Sequence, residues 1–336
     1  MHPLFHPINL QEETLEKIES FCRTWDLGLD ISIQTSGSTG KPKSIQFSKE
    51  QLIVSAKKTN AFFQLNKESK GLLCLSPDTI GGKMMMVRAL VGQFPLYITE
   101  ASLNPLNDFH MDIDFIALVP AQVHQILQDH PDKLKHIAHI LIGGADISMN
   151  LMDQLSQHEI RAHQSFGMTE TISHVALREI GVQNSDIYEG LPGVTFSTKD
   201  HRLCIHYPDI QAEIIETNDE VELIDATHFR WFGRTDFVIN SGGKKIHPET
   251  LEQQFTTIIE GPFFLSSIPD DTWGQALVCV CEREQSISKD TFSSLVRNFE
   301  IPKFMAFTTF IHTKSGKVNR RETQVKITAH DWIRVL

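Results

Sequence analysis

The sequence has few of the features that direct a chain to an oxidising compartment, a membrane or a nucleic acid. Only five cysteines stand among its 336 residues. They are Cys22, Cys74, Cys204, Cys279 and Cys281, an odd number with no paired spacing, so no disulfide framework is expected. Cys74, Cys279 and Cys281 lie in apolar runs and read as core thiols. Cys279-Val280-Cys281 would suit a metal only with a second Cys or His pair, and none completes a site. No run approaches the ~18 apolar residues of a membrane span. The N-terminus, Met1-His2-Pro3-Leu4-Phe5-His6, lacks the basic and apolar parts of a secretion signal. Positive charge is in deficit, with 31 Lys and Arg against 42 Asp and Glu for a net charge of −11. That balance argues against a nucleic-acid or anionic-membrane surface. The expectation is a cytoplasmic protein, monomer or homodimer, with no membrane insertion. Any anionic ligand must be held by a local cluster of positive groups.

The composition that remains, 40% apolar and 22% charged, fits a globular protein. The length allows two or three domains of about 100–200 residues. The most informative stretch is Thr35-Ser36-Gly37-Ser38-Thr39-Gly40-Lys41-Pro42-Lys43, which gathers hydroxyls, two glycines and two lysines. Ile31, Ile33 and Gln34 before it read as a short strand. Ser48 and Gln51 after it read as the capping box that starts a helix. A loop so placed points backbone N–H groups at an anion. Gly37 and Gly40 let the backbone approach phosphate oxygens. Two residues between the glycines, and Pro42 after Lys41, exclude a Walker loop.

Elsewhere, Leu15, Ile18, Phe21, Cys22 and Trp25 mark an amphipathic helix over 12–27. Apolar runs at 72–75, 115–119 and 140–142 read as buried strands, alternating with helices near 121–128 and 148–156. That is an α/β pattern with a mostly parallel sheet. From 194 to 232 short runs between turns such as Lys199-Asp200 and Asn218-Asp219 read as a small, largely antiparallel β region. A compact tail follows Asp236, with helices at 248–255 and near 291–299 and a strand at 276–281.

Further constellations lie along this frame. Ile142-Gly143-Gly144-Ala145 ends a strand with glycines, where open α/β sheets bind ligands; alone it is also an ordinary turn. Phe166-Gly167-Met168-Thr169-Glu170 places an aromatic face, a hydroxyl and a carboxylate together. Then come Thr217-Asn218-Asp219, Gly233-Arg234-Thr235-Asp236, Ser241-Gly242-Gly243-Lys244-Lys245-Ile246-His247-Pro248-Glu249, and Thr313-Lys314-Ser315-Gly316-Lys317-Val318-Asn319-Arg320.

In this order the motifs resemble those of the adenylate-forming superfamily of acyl- and aryl-CoA synthetases, over about residues 31–321. The resemblance implies a large N-terminal α/β domain (1–236, with its core at 1–190 and the β region at 191–236). It also implies a small mobile α+β lid (237–336). Typical members carry a longer segment before the phosphate loop. A naturally shortened member is therefore expected, with the 12–27 helix capping the core, and a truncated fragment is the alternative. By resemblance, Thr35, Ser36, Gly37, Ser38, Thr39, Gly40, Lys41 and Lys43 hold the ATP phosphates. Gly143, Gly144, Ala145, Phe166 and Gly167 line adenine, with Phe in place of the usual Tyr. Asp219 and Arg234 reach the ribose, and Asn218 replaces a Gly in a turn where both tolerate positive φ. Thr169 donates to a phosphate, Glu170 holds Mg²⁺, and Asp236 is the hinge. Gly242, Gly243 and Lys244 line the path of coenzyme A. Lys317 bridges the incoming carboxylate and the α-phosphate.

The acid is addressed by Ile80-Gly81-Gly82-Lys83-Met84-Met85-Met86-Val87-Arg88-Ala89-Leu90. Lys83 and Arg88 stand in an apolar, Met-rich helix start. Each either reaches solvent or a local acid such as Glu100, or binds a second carboxylate on an apolar or aromatic acid. This stretch, Asn104-Pro105-Leu106 and the short N-terminus are similar to short o-succinylbenzoate–CoA ligases of menaquinone synthesis. Another aryl- or acyl-CoA ligase, or an enzyme loading a carrier protein, is the alternative. A kinase is disfavoured by the absent Walker spacing, and a non-catalytic module by the presence of Lys317 and Glu170. Lys317→Ala is expected to abolish adenylate formation while sparing thioester formation from supplied acyl-adenylate. Pyrophosphate release near the wild-type rate would refute the assignment.

Overall fold

The computed structural model describes residues 1–34, 44–312 and 318–335. In chain order the first part runs β1 (Phe5–Pro7), α1 (Glu12–Asp26), β2 (Ile31–Gln34), β3 (Ser44–Phe47), α2 (Lys49–Phe62), β4 (Gly71–Leu73) and α3 (Ile80–Gly92). It continues with β5 (Leu96–Ile98), β6 (Phe115–Leu118), α4 (Pro120–Asp129), α5 (Pro131–Lys135), β7 (His139–Ile142), α6 (Met149–Gln157), β8 (Arg161–Met168) and β9 (Ser173–Gly181). Then come β10 (Ile187–Gly190), β11 (Thr195–Lys199), β12 (Arg202–His206), β13 (Ile215–Leu223) and β14 (His228–Arg234). These strands, apart from β2 and β3, form one twelve-stranded sheet in the order β1-β5-β4-β6-β7-β8-β9-β10-β14-β13-β12-β11. Pairing is parallel from β1 to β8 and antiparallel beyond.

The parallel half is buried on both faces, as its unbroken apolar runs require. Leu73 and Phe115 join a core with Ile18 and Trp25 of α1, Leu52 of α2 and the α3 methionines. Leu72 and Ile116 face the opposite core, with Val123 and Ile126 of α4 and Leu151 of α6. Three sequence readings of local structure are met closely. Ser48 and Gln51 form a reciprocal capping box on α2. The expected helix over 12–27 is α1, and the helix at 248–255 appears with the same bounds (α7, Pro248–Phe255).

Two readings are corrected. The 35–43 loop does not lead straight from strand to helix, because β3 intervenes and pairs antiparallel with β2. Ser44, Ile45, Gln46 and Phe47 alternate polar and apolar, which is the period of a strand. The antiparallel pairing expected over 194–232 is present in β11 to β14, and β10 and β14 join these strands to the main sheet. Asn218-Asp219 is no turn: both residues lie inside β13, and Asn218 is not among the residues with positive φ.

Beyond Arg234 the chain enters a six-stranded sheet of β15 (Ile239–Ser241), β16 (Lys244–Ile246), β17 (Phe263–Asp270), β18 (Gly274–Cys281), β19 (Phe304–Phe307) and β20 (Ile333–Arg334). It carries α7, α8 (Lys289–Ser293) and α9 (Arg320–Val325). Its core holds Leu251, Phe255, Leu277, Cys279 and Phe292. The helix expected near 291–299 stops at Ser293. The Ser293 and Ser294 hydroxyls donate to the carbonyls of Asp290 and Thr291. Such local side-chain bonds compete with helix propagation. Among the described residues no helix is long and apolar enough to cross a membrane.

One crossing is unusually tight. β8 returns as β9 through a short 3₁₀ turn, Thr169–Thr171, followed by Ile172 at φ +52° and Ser173 at φ +86°. A β-branched residue with positive φ is strained, and such strain persists only where the surroundings hold it. Here the buried Ser55 of α2 donates to the Ile172 carbonyl at 2.8 Å. The Thr171 hydroxyl donates to the Ser173 carbonyl at 2.7 Å and accepts from the Met168 N–H at 3.0 Å. A Cβ on Gly167 would overlap the Ser173 carbonyl oxygen and press on the His174 Cα. Gly167→Ala is therefore expected to destabilise the chain by about 2–4 kcal/mol, read as a lowered urea midpoint. A midpoint unchanged from wild type would show that the crossing relaxes freely.

Candidate active site at the carboxyl ends of the parallel strands

Ligands of open α/β sheets bind beyond the carboxyl ends of the parallel strands. Here β7 ends at Ile142, and the Gly143 N–H reaches across to the Leu118 carbonyl of β6 at 3.0 Å. Gly143 leaves room for Ser165 of β8, whose hydroxyl donates to the Ile142 carbonyl at 3.1 Å. Gly144 takes φ +86°, so a side chain there would be strained. Gly144 and Ala145 are exposed. Beside them the half-buried Phe166 ring sits edge-on to Phe229, with centroids 5.1 Å apart. Phe229 in turn stacks on Tyr188 at 5.3 Å. Thr169 and Glu170 open the 3₁₀ turn, and the Glu170 carboxylate faces solvent.

Asp219 of β13 is buried and accepts a hydrogen bond from the Trp231 indole at 2.9 Å. It stands opposite Arg234 in the ladder. Burial raises its pKa, while Trp231 and Arg234 oppose the rise. The Arg234 guanidinium pairs with Asp236 at 2.7 Å. Asn218 donates to both oxygens of Asp236, at 3.2 and 3.3 Å. The residue that replaces the usual Gly thus ties β13 to the chain's exit from the sheet.

The second sheet closes on this edge. Thr250 donates to the Phe232 carbonyl at 2.6 Å. The Arg320 guanidinium meets Glu252 with two parallel bonds of 2.7 Å each. This fork-to-fork geometry fixes direction as well as distance. Asp146, exposed yet ringed by protein, lies within the electrostatic reach of Glu252, Arg320, Arg178 and Asp219. Enclosure among protein atoms raises its pKa first, and Glu252 adds to the rise. The strand end at β7, the ribose candidate Asp219 and the start of α9 therefore converge. Gly242 and Gly243, at φ +56° and +74°, form the exposed turn between β15 and β16. Gly242 packs against the Trp273 indole, and Lys244 is exposed.

The expected phosphate residues Thr35, Ser36, Gly37, Ser38, Thr39, Gly40, Lys41 and Lys43 lie outside the described residues, as does Lys317. Their flanks are described. β2 and β3 hold one loop, and a bridge between His312 and Val318 with the Asn319 cap of α9 holds the other. Among the described residues no three His, Cys, Asp or Glu side chains gather as a metal cage. Glu170 as a lone open carboxylate fits Mg²⁺, which keeps several waters and takes substrate phosphates.

Lys83 and Arg88 part company. The half-buried Lys83 donates to the carbonyls of Pro77, at 2.9 Å, and Asp78, at 3.2 Å. Glu100, the acid considered for it, instead accepts from the Gln11 amide and the Thr14 hydroxyl. Arg88 is 1% exposed. Its polar contacts are the Ser173 hydroxyl at 3.1 Å, His174 Nδ1 at 3.5 Å and Met85 Sδ at 3.8 Å. Its Nε has no partner among the described residues, and burial lowers its pKa to about 9. Sequence reading did not single out Ser173 or His174. Their signal, two polar residues inside the apolar β9 run, is common in any strand.

Glu249 was also not weighted. It opens α7, is 4% exposed, and accepts from the Arg234 N–H at 3.4 Å. Its Oε2 has no partner among the described residues and lies 2.7 Å from where a Cβ on Gly233 would sit. Burial raises its pKa from 4.5 to about 7, against the field of Arg320. The folded chain thus keeps a proton that the unfolded chain loses between about pH 4.5 and 7. Unfolding releases that proton, so stability falls as pH rises through this window and levels off above it. Glu249→Gln is expected to match wild type near pH 5 and to exceed it at pH 8 by up to ~3 kcal/mol. Urea melts at both pH values check this, and a difference independent of pH would contradict it.

The family model described as AMP-binding enzyme matches residues 32–219. A 2-succinylbenzoate–CoA ligase of Listeria monocytogenes is 25% identical over 351 aligned residues, covering 92% of this chain and 73% of the relative. A solved acyl-CoA synthetase (AMP-forming)/AMP-acid ligase II-like protein from Dyadobacter fermentans is 33% identical. The alignment covers 96% of each chain, with a TM-score of 0.64. The o-succinylbenzoate CoA synthetase of Bacillus subtilis, solved with its acyl-adenylate intermediate, shares the fold. It has a TM-score of 0.78 at 18% identity, over 88% of this chain and 69% of that one.

Proposed function

The chain belongs to the AMP-binding enzyme family, and on that footing we propose that it is an AMP-forming acid–CoA ligase acting on o-succinylbenzoate. The adenylate-forming fold inferred from the motifs is that of its solved neighbours. In the first step the acid's aliphatic carboxylate oxygen attacks the α-phosphorus of ATP, and pyrophosphate leaves with the electrons of the broken P–O bond. In the second, the thiol sulfur of coenzyme A attacks the acyl carbon. AMP departs, and the thiol proton passes to solvent.

The first step brings two anions together, so positive groups must offset their repulsion. Lys317 takes that role between carboxylate and α-phosphate. Thr35 to Lys41 and Lys43 hold the β- and γ-phosphates with Thr169, and Glu170 would hold Mg²⁺, which would supply further charge neutralisation there. Removing one such donor costs roughly 10²–10³ in rate. Gly143, Gly144, Ala145, Phe166 and Gly167 form the adenine wall, and Asp219 and Arg234 meet the ribose. Units 1–236 and 237–336 turn about Asp236, bringing Gly242, Gly243 and Lys244 to the thiol. This reading is supported by the change of sheet between Arg234 and Ile239.

The choice of acid rests on one observation: Arg88 is a buried cation whose contacts among the described residues include no carboxylate. A buried charge left unpaired is costly, and a ligand carboxylate relieves that cost. The names of the curated relatives point to the same acid. The test is a panel of acids with ATP, Mg²⁺ and coenzyme A. o-Succinylbenzoate is expected to yield AMP, pyrophosphate and a thioester, and Arg88→Met to raise its KM at least ~10-fold. Thioester from mono-acids alone, or an unchanged KM in Arg88→Met, would overturn the choice of acid. Turnover independent of free coenzyme A would favour loading of a carrier protein.

A further inference from the structure

We propose that His174 is a positioning residue for the acid: as a neutral imidazole it accepts from Arg88 through Nδ1 and aims the guanidinium at the substrate's second carboxylate. The inference rests on the reading of Arg88 given above. His174 is 3% exposed and lies on β9 opposite Gly167. Its two ring nitrogens have different neighbours. Nε2 lies 3.3 Å from the Thr59 hydroxyl oxygen, and that hydroxyl donates to the Ser55 carbonyl one turn back on α2. With the Thr59 proton on that carbonyl its oxygen is the acceptor, and on this network the imidazole proton is assigned to Nε2.

Nδ1 is left with a free lone pair, 3.5 Å from an Arg88 terminal nitrogen and 3.3 Å from the Ser173 hydroxyl. Burial, and next the Arg88 charge, hold the His174 pKa well below its ordinary value. An acceptor without charge is what the site needs. An Asp in its place would neutralise Arg88 and remove the reason to bind an anion. A protonated His would repel the Arg88 guanidinium. Ser173, Met85 and neutral His174 orient the guanidinium while leaving its charge uncompensated. The strained turn at Ile172 and Ser173 delivers two of these three partners, consistent with strain stored at a working site.

The experiment compares o-succinylbenzoate with the analogue lacking the ring carboxylate, in the full-length protein. His174→Phe keeps a ring and removes the acceptor, whereas His174→Asn places an oxygen near the Nδ1 position. His174→Phe is expected to raise KM for the diacid about 10-fold or more and KM for the analogue by less than about 2-fold. His174→Asn is expected to recover most of the loss. Equal rises for both acids, a fall in kcat without a KM change, or no recovery in His174→Asn would reduce His174 to a packing role. Should His174→Phe not fold, Thr59→Val, which removes the acceptor for Nε2–H, must raise the diacid KM selectively. An unchanged diacid KM there overturns the proposal. If Arg88→Met raises the diacid KM while the His174 and Thr59 variants do not, this inference alone fails. If Arg88→Met itself has no effect, the reading of the acid fails first.

Discussion

A guanidinium held in the interior, with no carboxylate beside it among the described residues, is the constraint around which this structure is arranged. Arg88 sits in the middle of α3, where Met84 to Ala89 are all buried. A helix apolar on every side must be enclosed on every side, so the cation cannot escape to water. Among the described residues its polar neighbours supply hydrogen-bond acceptors and no negative charge. The strained return from β8 to β9, the bond from Ser55 to the Ile172 carbonyl and the absence of a side chain at Gly167 all hold those acceptors in place.

A second constraint is the way the two sheets meet. The junction is polar. Phe232, Gly233 and Arg234 of β14 receive the start of α7 through Thr250 and Glu249. Asp236 is tied back to Arg234 and Asn218. Hydrogen bonds of this kind set how β14 meets the start of α7. The Arg320–Glu252 fork fixes the start of α9 to α7, only a few residues after Lys317.

Local signals in the sequence were read well where the physics is local. The Ser48–Gln51 box, the apolar stripe of α1 and the Pro-led start of α7 each depend on residues within one or two helical turns, and each helix lies where they place it. Readings failed or stopped short where pairing partners are distant. β3 is short and depends on β2 to exist. Whether β10 to β14 stand apart or extend the main sheet depends on β9, which pairs with β10. Asn218 resembled a turn residue because Asn tolerates positive φ, yet its side chain is used by Asp236 and its backbone stays in the strand. Motif order carried the family. It could not rank Lys83 against Arg88, since both are long cations in one apolar run.

The sequence by itself determined the class of chemistry. Phosphate-loop residues, glycines at a strand end and a lysine near the C-terminus occur in an order that few chains share, and each motif keeps its meaning within a few residues. Tertiary structure alone decided which cation is desolvated and what surrounds it. Lys83 turns back onto the carbonyls of Pro77 and Asp78, while Arg88 is walled in by β9 and α2. Desolvation is a property of three-dimensional enclosure by residues far apart in the chain, here Thr59, Arg88 and His174. No local pattern encodes it.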